Sequence, residues 1–476
     1  MTIREEVTAE AAEGTGTAAA SPKLKRGLHV LGTLLITLSA VTPASSVFII
    51  VPGVIALAGT GALWSFIIAA VVGVFMAFVY AELSSAYPLT GGEYAIIGRT
   101  LGRMPGLMIL WLILMTQILI IAVIALGVGT YLGVLFPGLN GPVVAAVTVL
   151  AGAAIAVFDI KFNAIVTGTF LAIEMAALVI LAALGFLHVE RPITELLMQP
   201  VLLADGSLVP ASFGAIGIAT SIAIFSYNGY GSAVFFGEET HDAHRGIARA
   251  ILWALVVTVA AEAIPLAAIL MGTPDLTALL SSGNMLEYFL VARGGTVINT
   301  ILSLSIALAI FNAVVAIILL TARLLFSSGR DHVWWKPINA ALTTTHARHH
   351  TPWIATLACG VFSAGACFID LNVLFVVTGT SLVAVYAALC LAVIAGRRNK
   401  TIAHAAYKMP WFPLPPIAAL AVLAYVCWLN LMDPVIGRPS LGVTIGVMVA
   451  AALYYVLVLR RRGGWVLRGP DEKESQ

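Results

Sequence analysis

Charge is what this chain most lacks. Only 10% of its 476 residues are Asp, Glu, Lys or Arg, against about 25% in an ordinary soluble domain. With 60% hydrophobic residues and a mean hydropathy of +1.02, it is too apolar for any soluble architecture of this size. It reads as a polytopic helical membrane protein, a class in which Gly, with 43 copies here, is common. The net charge of +2 provides no basic field for nucleic acid. Cysteine is scarce too. Cys359, Cys367, Cys390 and Cys427 lie in apolar segments without metal or disulfide spacing and read as small buried hydrophobes. No Gly-rich phosphate loop, no membrane-facing His or Asp pair and no sizeable soluble domain is present, which argues against a membrane enzyme or a nutrient sensor. No cofactor is expected. His346, His349 and His350 gather in one loop among Thr, Ala and Arg without Cys or carboxylate, so no metal is expected there.

What is abundant is the apolar run of about 20 residues, the length that crosses a bilayer. Such runs cover Leu28–Leu57, Leu63–Tyr87, Pro105–Leu135, Val143–Phe158, Phe162–Leu187, Phe213–Gly237, Ile251–Met271, Val297–Leu320, Trp353–Phe368, Val373–Ile394, Leu414–Leu431 and Leu441–Leu459. Twelve transmembrane helices are therefore expected. Nearly all Lys and Arg between them fall on one side, and only Arg191, Arg293 and Arg438 on the other. By the positive-inside rule both termini are expected in the cytoplasm. Residues 1–22 and 463–476 are polar and read as cytoplasmic tails, the first disordered. "ADGSLVP" signals a turn outside the membrane, and Pro274 to Leu290 is read as holding a short interfacial helix.

Two of the runs are broken. The first carries Pro43-Ala44-Ser45-Ser46 followed by Pro52-Gly53; the sixth carries Asn228-Gly229-Tyr230-Gly231-Ser232. Non-helical backbone survives at membrane depth only where protein or a water-filled cavity satisfies it. Close packing of small residues explains one such run easily, a pair five runs apart less well. Matched breaks point to inverted repeats, here 23–190 and 191–400 with 401–462 as two additional spans, and to a small molecule bound at the midplane. A half-helix starting after a break offers free N–H groups and a positive dipole end to a carboxylate. Unwound carbonyls suit an ammonium group. A zwitterionic amino acid offers one of each.

Three stretches carry a family likeness: "YAELSSAYPLTGGEYAIIGRTLG" from Tyr80, "FSYNGYGSAVFFGEETHDAHRGIARAI" from Phe225, and "TARLLFSSGRDHVWWKP" with the later "TPW". In order and spacing they resemble the amino acid–polyamine–organocation (APC) superfamily of permeases, over nearly the whole chain. The resemblance implies an all-α LeuT-type 5+5 inverted repeat with discontinuous helices 1 and 6. It also implies secondary transport of amino acids or amines across the plasma membrane. Carried over, Ala44, Ser45, Ser46 and Val47 stand at the break that receives the substrate carboxylate. Phe225, Ser226, Asn228, Gly229 and Gly231 stand at the break that receives the amino group and lines the side-chain pocket. Ala44 and Ser46 depart from the family, where glycines are common.

Glu174 lies midway along the fifth run and Glu262, just before Pro265, in the seventh. Ionisable groups at such depth are functional candidates by default. Some family members place a Lys near the position of Glu174; a carboxylate there suits a coupled proton or, ionised, a cation such as Na+. The first break and the polar residues Ser303, Ser305 and Asn312 of the eighth run are its expected partners, and Glu262 is expected to satisfy backbone freed by the Pro265 kink. Glu82, Glu238 and Glu239 are expected to pair with Arg245, Arg249 or Arg323, and Gln117 to bond between helices. A polyamine or organic amine on the same fold is the alternative substrate, but the sixth break offers Asn228 and aromatics without a carboxylate. The amino acid is therefore preferred, with membrane lipid as the other partner. A channel is disfavoured by the paired breaks.

Overall fold

The computed structural model describes residues 24, 26–133, 138–378, 380–462, 465, 467 and 468. The tail expected at 1–22 lies outside the described residues, as does most of 463–476.

The chain is almost entirely helical. The first run becomes α1 (Val30–Val41), a short turn (Pro43–Ser45), a π-turn (Ser46–Ile50) and α2 (Val51–Ala58). The wider π-turn falls just ahead of Pro52, whose ring would collide with the carbonyl four residues back in a regular helix. There follow α3 (Ala62–Ala86), α4 (Gly92–Thr100), α5 (Arg103–Gly133), α6 (Gly141–Ala156) and α7 (Ile160–Phe186). A two-stranded hairpin, β1 (Val201–Ala204) and β2 (Ser207–Pro210), turns at Asp205 and Gly206, both with positive φ. That is the turn chemistry foreseen in "ADGSLVP".

The sixth run is split into α8 (Phe213–Ser226) and a 3₁₀ segment (Tyr230–Phe236). Then come α9 (Ala243–Gly272), a short helix Leu276–Ser281 capped by Asp275, and α10 (Met285–Arg330), which bends at Gly295 (φ 74°) just before the predicted eighth run. A short helix (Lys336–Leu342) precedes α11 (Trp353–Ala366). The expected tenth run is divided between a short helix (Leu371–Thr378) and α12 (Ser381–Arg398); α13 (Leu414–Met432), α14 (Gly437–Tyr454) and a π-turn (Tyr455–Leu459) follow. Among the described residues, eight helical stretches are long and apolar enough to cross a membrane, counting Val30–Ala86 as one. α6 and α11 are shorter apolar helices.

The helices are inside-out compared with those of a soluble protein. On α7, Asn163, Thr167 and Glu174 are buried, whereas Ile165, Val179 and Phe186 are exposed. Lipid rewards an apolar outer face, and polar groups turn inward to partners. α7 crosses α9 backbone to backbone: a Cβ on Gly185 would stand 2.1 Å from the Ala268 carbonyl oxygen, and one on Gly272 would stand 2.5 Å from Gly185 Cα. Small residues let membrane helices approach this closely.

Ion pairs tie one end of the bundle. Arg397 grips Glu82 with two bonds of 2.6 Å, Arg330 grips Glu238 at 2.6 and 2.7 Å, and Arg323 pairs with Glu239. Of the expected arginines only Arg323 is used; Arg245 and Arg249 make none of these pairs. At the same end the backbone N–H groups of Gly27 and Leu28 donate to the Glu239 carbonyl, both at 2.9 Å. At the other end Arg293 pairs with Glu190, and Trp64 donates to the Leu197 carbonyl at 2.9 Å.

Candidate functional site

The first break turns on a single residue. Thr42 takes the left-handed conformation (φ 50°, ψ 69°), stops α1, and hands the chain to a new helical turn that begins with Pro43. Few amides are left free. Pro43 has none, Ser46 N–H returns to the Thr42 carbonyl at 3.1 Å, and Ala44 N–H donates to Glu174 Oε1 at 2.8 Å. Thr42 Oγ1 donates to Ser45 Oγ at 2.8 Å and lies 3.4 Å from the same Glu174 oxygen. A carboxylate does occupy the start of this half-helix, and it is the protein's own.

The second break leaves α8 at Ser226 and turns through Gly229 (φ 116°). A Cβ at Gly229 would stand 3.0 Å from Val41 Cα, so the two breaks press backbone against backbone. Polar bonds join them further. Ser46 Oγ donates to the Ser226 carbonyl at 3.1 Å, and Ser226 Oγ donates to Glu262 Oε2 at 2.5 Å. Glu262 therefore bonds a side chain of the sixth span; no bond of it to the backbone around Pro265 is found among the described residues.

One cavity of about 520 Å³ is lined from both breaks. Of the residues carried over from the family, Ser45, Ser46, Phe225, Ser226, Asn228, Gly229 and Gly231 line it. Ala44 and Val47 do not: both are buried against the neighbouring apolar cluster. Gln117, expected between helices, lines the cavity beside Thr116. Asn312 Nδ2 donates to Ser39 Oγ at 3.0 Å, and Ser303 is buried further along α10 with no side-chain bond to Glu174. Glu174 Oε2, Glu262 Oε1 and Asn312 Oδ1 are all buried without a hydrogen-bond partner. Among the described residues no group of three or more His, Cys, Asp or Glu suits a metal ion.

One lining residue escaped sequence reasoning. Glu93, in the first turn of α4, is 7% exposed and is the sole acidic or basic side chain, tyrosines aside, among the described lining residues. Gly92, with φ 56°, folds the chain so closely beneath the sixth break that a Cβ there would meet Phe235 at 2.6 Å. Tyr80 donates to Glu93 Oε1 at 3.2 Å, while Oε2 has no partner. Burial pushes its carboxyl up to about 7, against the opposing effect of the Tyr80 bond. The tyrosines continue: the Tyr80 ring meets Tyr230 and Tyr386 edge-on, and Tyr386 OH donates to Asn228 Oδ1 at 2.9 Å. A Gly-Gly pair before an acid is the signal in the sequence; alone it reads as a helix start with a favourable dipole contact.

A bundle with an apolar outer face, enclosing a cavity where two helices are interrupted, defines an integral membrane transporter. Residues 28–458 match the family described as "Amino acid permease", and the chain belongs to that family, within the APC superfamily. It is 23% identical over 449 residues to the branched-chain amino acid permease BcaP of Bacillus subtilis (strain 168), covering 90% of this chain and 92% of that one. To the methylthioribose transporter of the same organism it is 26% identical over 450 residues, 92% of this chain and 94% of that one. To Asc-type amino acid transporter 1 of Homo sapiens it is 25% identical over 355 residues, 71% and 64% of the two chains. These relatives are permeases and transporters, not enzymes, and their names differ in cargo.

Proposed function

We propose that this protein is a secondary active transporter that carries amino acids across the plasma membrane by alternating access. The carrying observation is the cavity of about 520 Å³ lined from both interrupted helices. In this reading α1–α2 and α3 are separate spans, and α8 with its 3₁₀ continuation is one interrupted span. α6, α11 and the remaining long helices then complete twelve. Residues 23–190 and 191–400 form the two inverted repeats, 401–462 adds the last pair of spans, and both tails are cytoplasmic. The substrate carboxylate sits at Ser45 and Ser46. Its amino group faces Ser226, Asn228, Gly229 and Gly231, with Phe225 against the side chain.

Coupling follows from the bond between Ala44 and Glu174. Two carboxylates at the same half-helix repel while both are ionised. A substrate carboxylate therefore binds best when Glu174 has taken up a proton, and one proton travels with each substrate. A second reading is a coupled cation such as Na+. Its support is the trio of unpartnered acceptors on Glu174, Glu262 and Asn312, with Ser303 on the same helix. Counterflow in proteoliposomes with a panel of amino acids and amines, repeated under pH and sodium gradients, tests both. Exchange of no amino acid or amine under any gradient would overturn the proposal.

A further inference from the structure

The cavity has an acid where sequence reasoning found none. Asn228, Tyr80 and Glu93 line the cavity and are linked through Tyr386 behind it: Asn228 accepts from Tyr386, Tyr386 abuts Tyr80, and Tyr80 donates to Glu93. Tyr80 can supply one donor only, and Glu93 Oε2 is left bare inside protein. A buried carboxylate oxygen without a donor is costly, and native interiors seldom leave one so unless something else supplies it. Among the described lining residues there is no Lys, Arg or His to do so. A donor can therefore come from water or from a solute that enters the cavity. The Tyr80 ring lines the cavity beside Glu93, backed by the rings of Tyr230 and Tyr386, and an aromatic face favours a cation.

We propose that Glu93 is the anchor for a positively charged group on the far end of the substrate, so that the cavity takes a basic amino acid. The α-carboxylate lies at Ser45 and Ser46, the α-amino group at the sixth break, and the alkylammonium of the side chain reaches past Asn228 to Glu93. This rests on the transporter reading above and narrows it. The same alkylammonium chemistry is found on a diamine, which lacks the carboxylate end.

Three ligands of near-equal length separate these sources: lysine, norleucine (lysine's shape without the ammonium) and cadaverine (lysine without the carboxylate). Counterflow of each is measured with the full-length protein and with Glu93→Gln in proteoliposomes. The expected result is that lysine exchanges in preference to norleucine. In Glu93→Gln the lysine-to-norleucine ratio falls about tenfold or more, the share of a charge-assisted hydrogen bond. A purely structural role for Glu93 would lower both ligands together and leave the ratio unmoved, which overturns the proposal. Exchange of norleucine or leucine without lysine also overturns it while leaving the transporter reading intact. Cadaverine exchanging as well as lysine upholds the cation anchor and overturns the carboxylate end. Exchange of none of them, nor of any other amino acid or amine, overturns the transporter reading itself. If Glu93→Gln does not fold, the melting temperature of the wild-type protein decides: it rises with lysine and not with norleucine, and the reverse refutes the anchor.

Discussion

Replacing Glu174 by Gln removes one charge and almost nothing else. The side-chain carbonyl of Gln still accepts from Ala44 N–H, the bond that now spans 2.8 Å, so the break keeps its geometry. What disappears is repulsion toward a second carboxylate at the same half-helix. At about 4 Å and an effective dielectric of about 20, two unit charges interact by about 4 kcal/mol, roughly a thousandfold in affinity. In the wild type that energy makes substrate binding wait for a proton. The variant binds without one. Its counterflow affinity should therefore be independent of pH, whereas that of the wild type weakens as pH rises. Accumulation should differ more. With one proton per substrate, wild-type vesicles alkaline inside gain up to about tenfold per pH unit, whereas Glu174→Gln vesicles only equilibrate. Substrate accumulated by the variant to the wild-type level under the same gradient would refute the coupling argument.

Two further outcomes concern the frame around the site. Arg323→Met leaves Glu239, 1% exposed, as an uncompensated buried charge and should lose about 3–5 kcal/mol. The double variant Arg323→Met with Glu239→Leu should recover most of this, as thermal melting in detergent would show. Gly229→Ala forces a side chain into φ 116° and against Val41. It should cost about 1–3 kcal/mol and abolish counterflow at a temperature where the protein is still folded; unimpaired exchange would mean that the contact between the breaks is dispensable.

The two breaks and the two deep acids were legible as residues because each violates a simple expectation for a membrane span. Pro43, Pro52 and the Asn228-Gly229 pair disturb helices, and Glu174 and Glu262 interrupt apolar runs. That Glu174 would meet the first break was legible as well; what Glu262 touches was not. Partners depend on how helices far apart in sequence cross, and so Ser226 rather than the Pro265 kink holds Glu262. The arginines show the same limit: their side of the bundle follows from charge count, but Arg330 and Arg397 rather than Arg245 and Arg249 face the acids. Glu93 was hidden for a different reason. It belongs to a loop helix, where an acid in the first turn is ordinary, and only the fold-back at Gly92 puts it beneath the cavity.

The pairing of the deep acids also bears on how the chain enters the bilayer. A carboxylate at the centre of a membrane helix raises the cost of insertion by about 2.5–3.5 kcal/mol. Glu174 meets Ala44 and Glu262 meets Ser226, and in both cases the donor precedes the acid in the sequence. As each acid-bearing helix leaves the ribosome, its partner has already been synthesised and waits in an earlier helix. Moving either donor to a later segment, as a circular permutation would, leaves the acid unsatisfied during the interval in which it must cross.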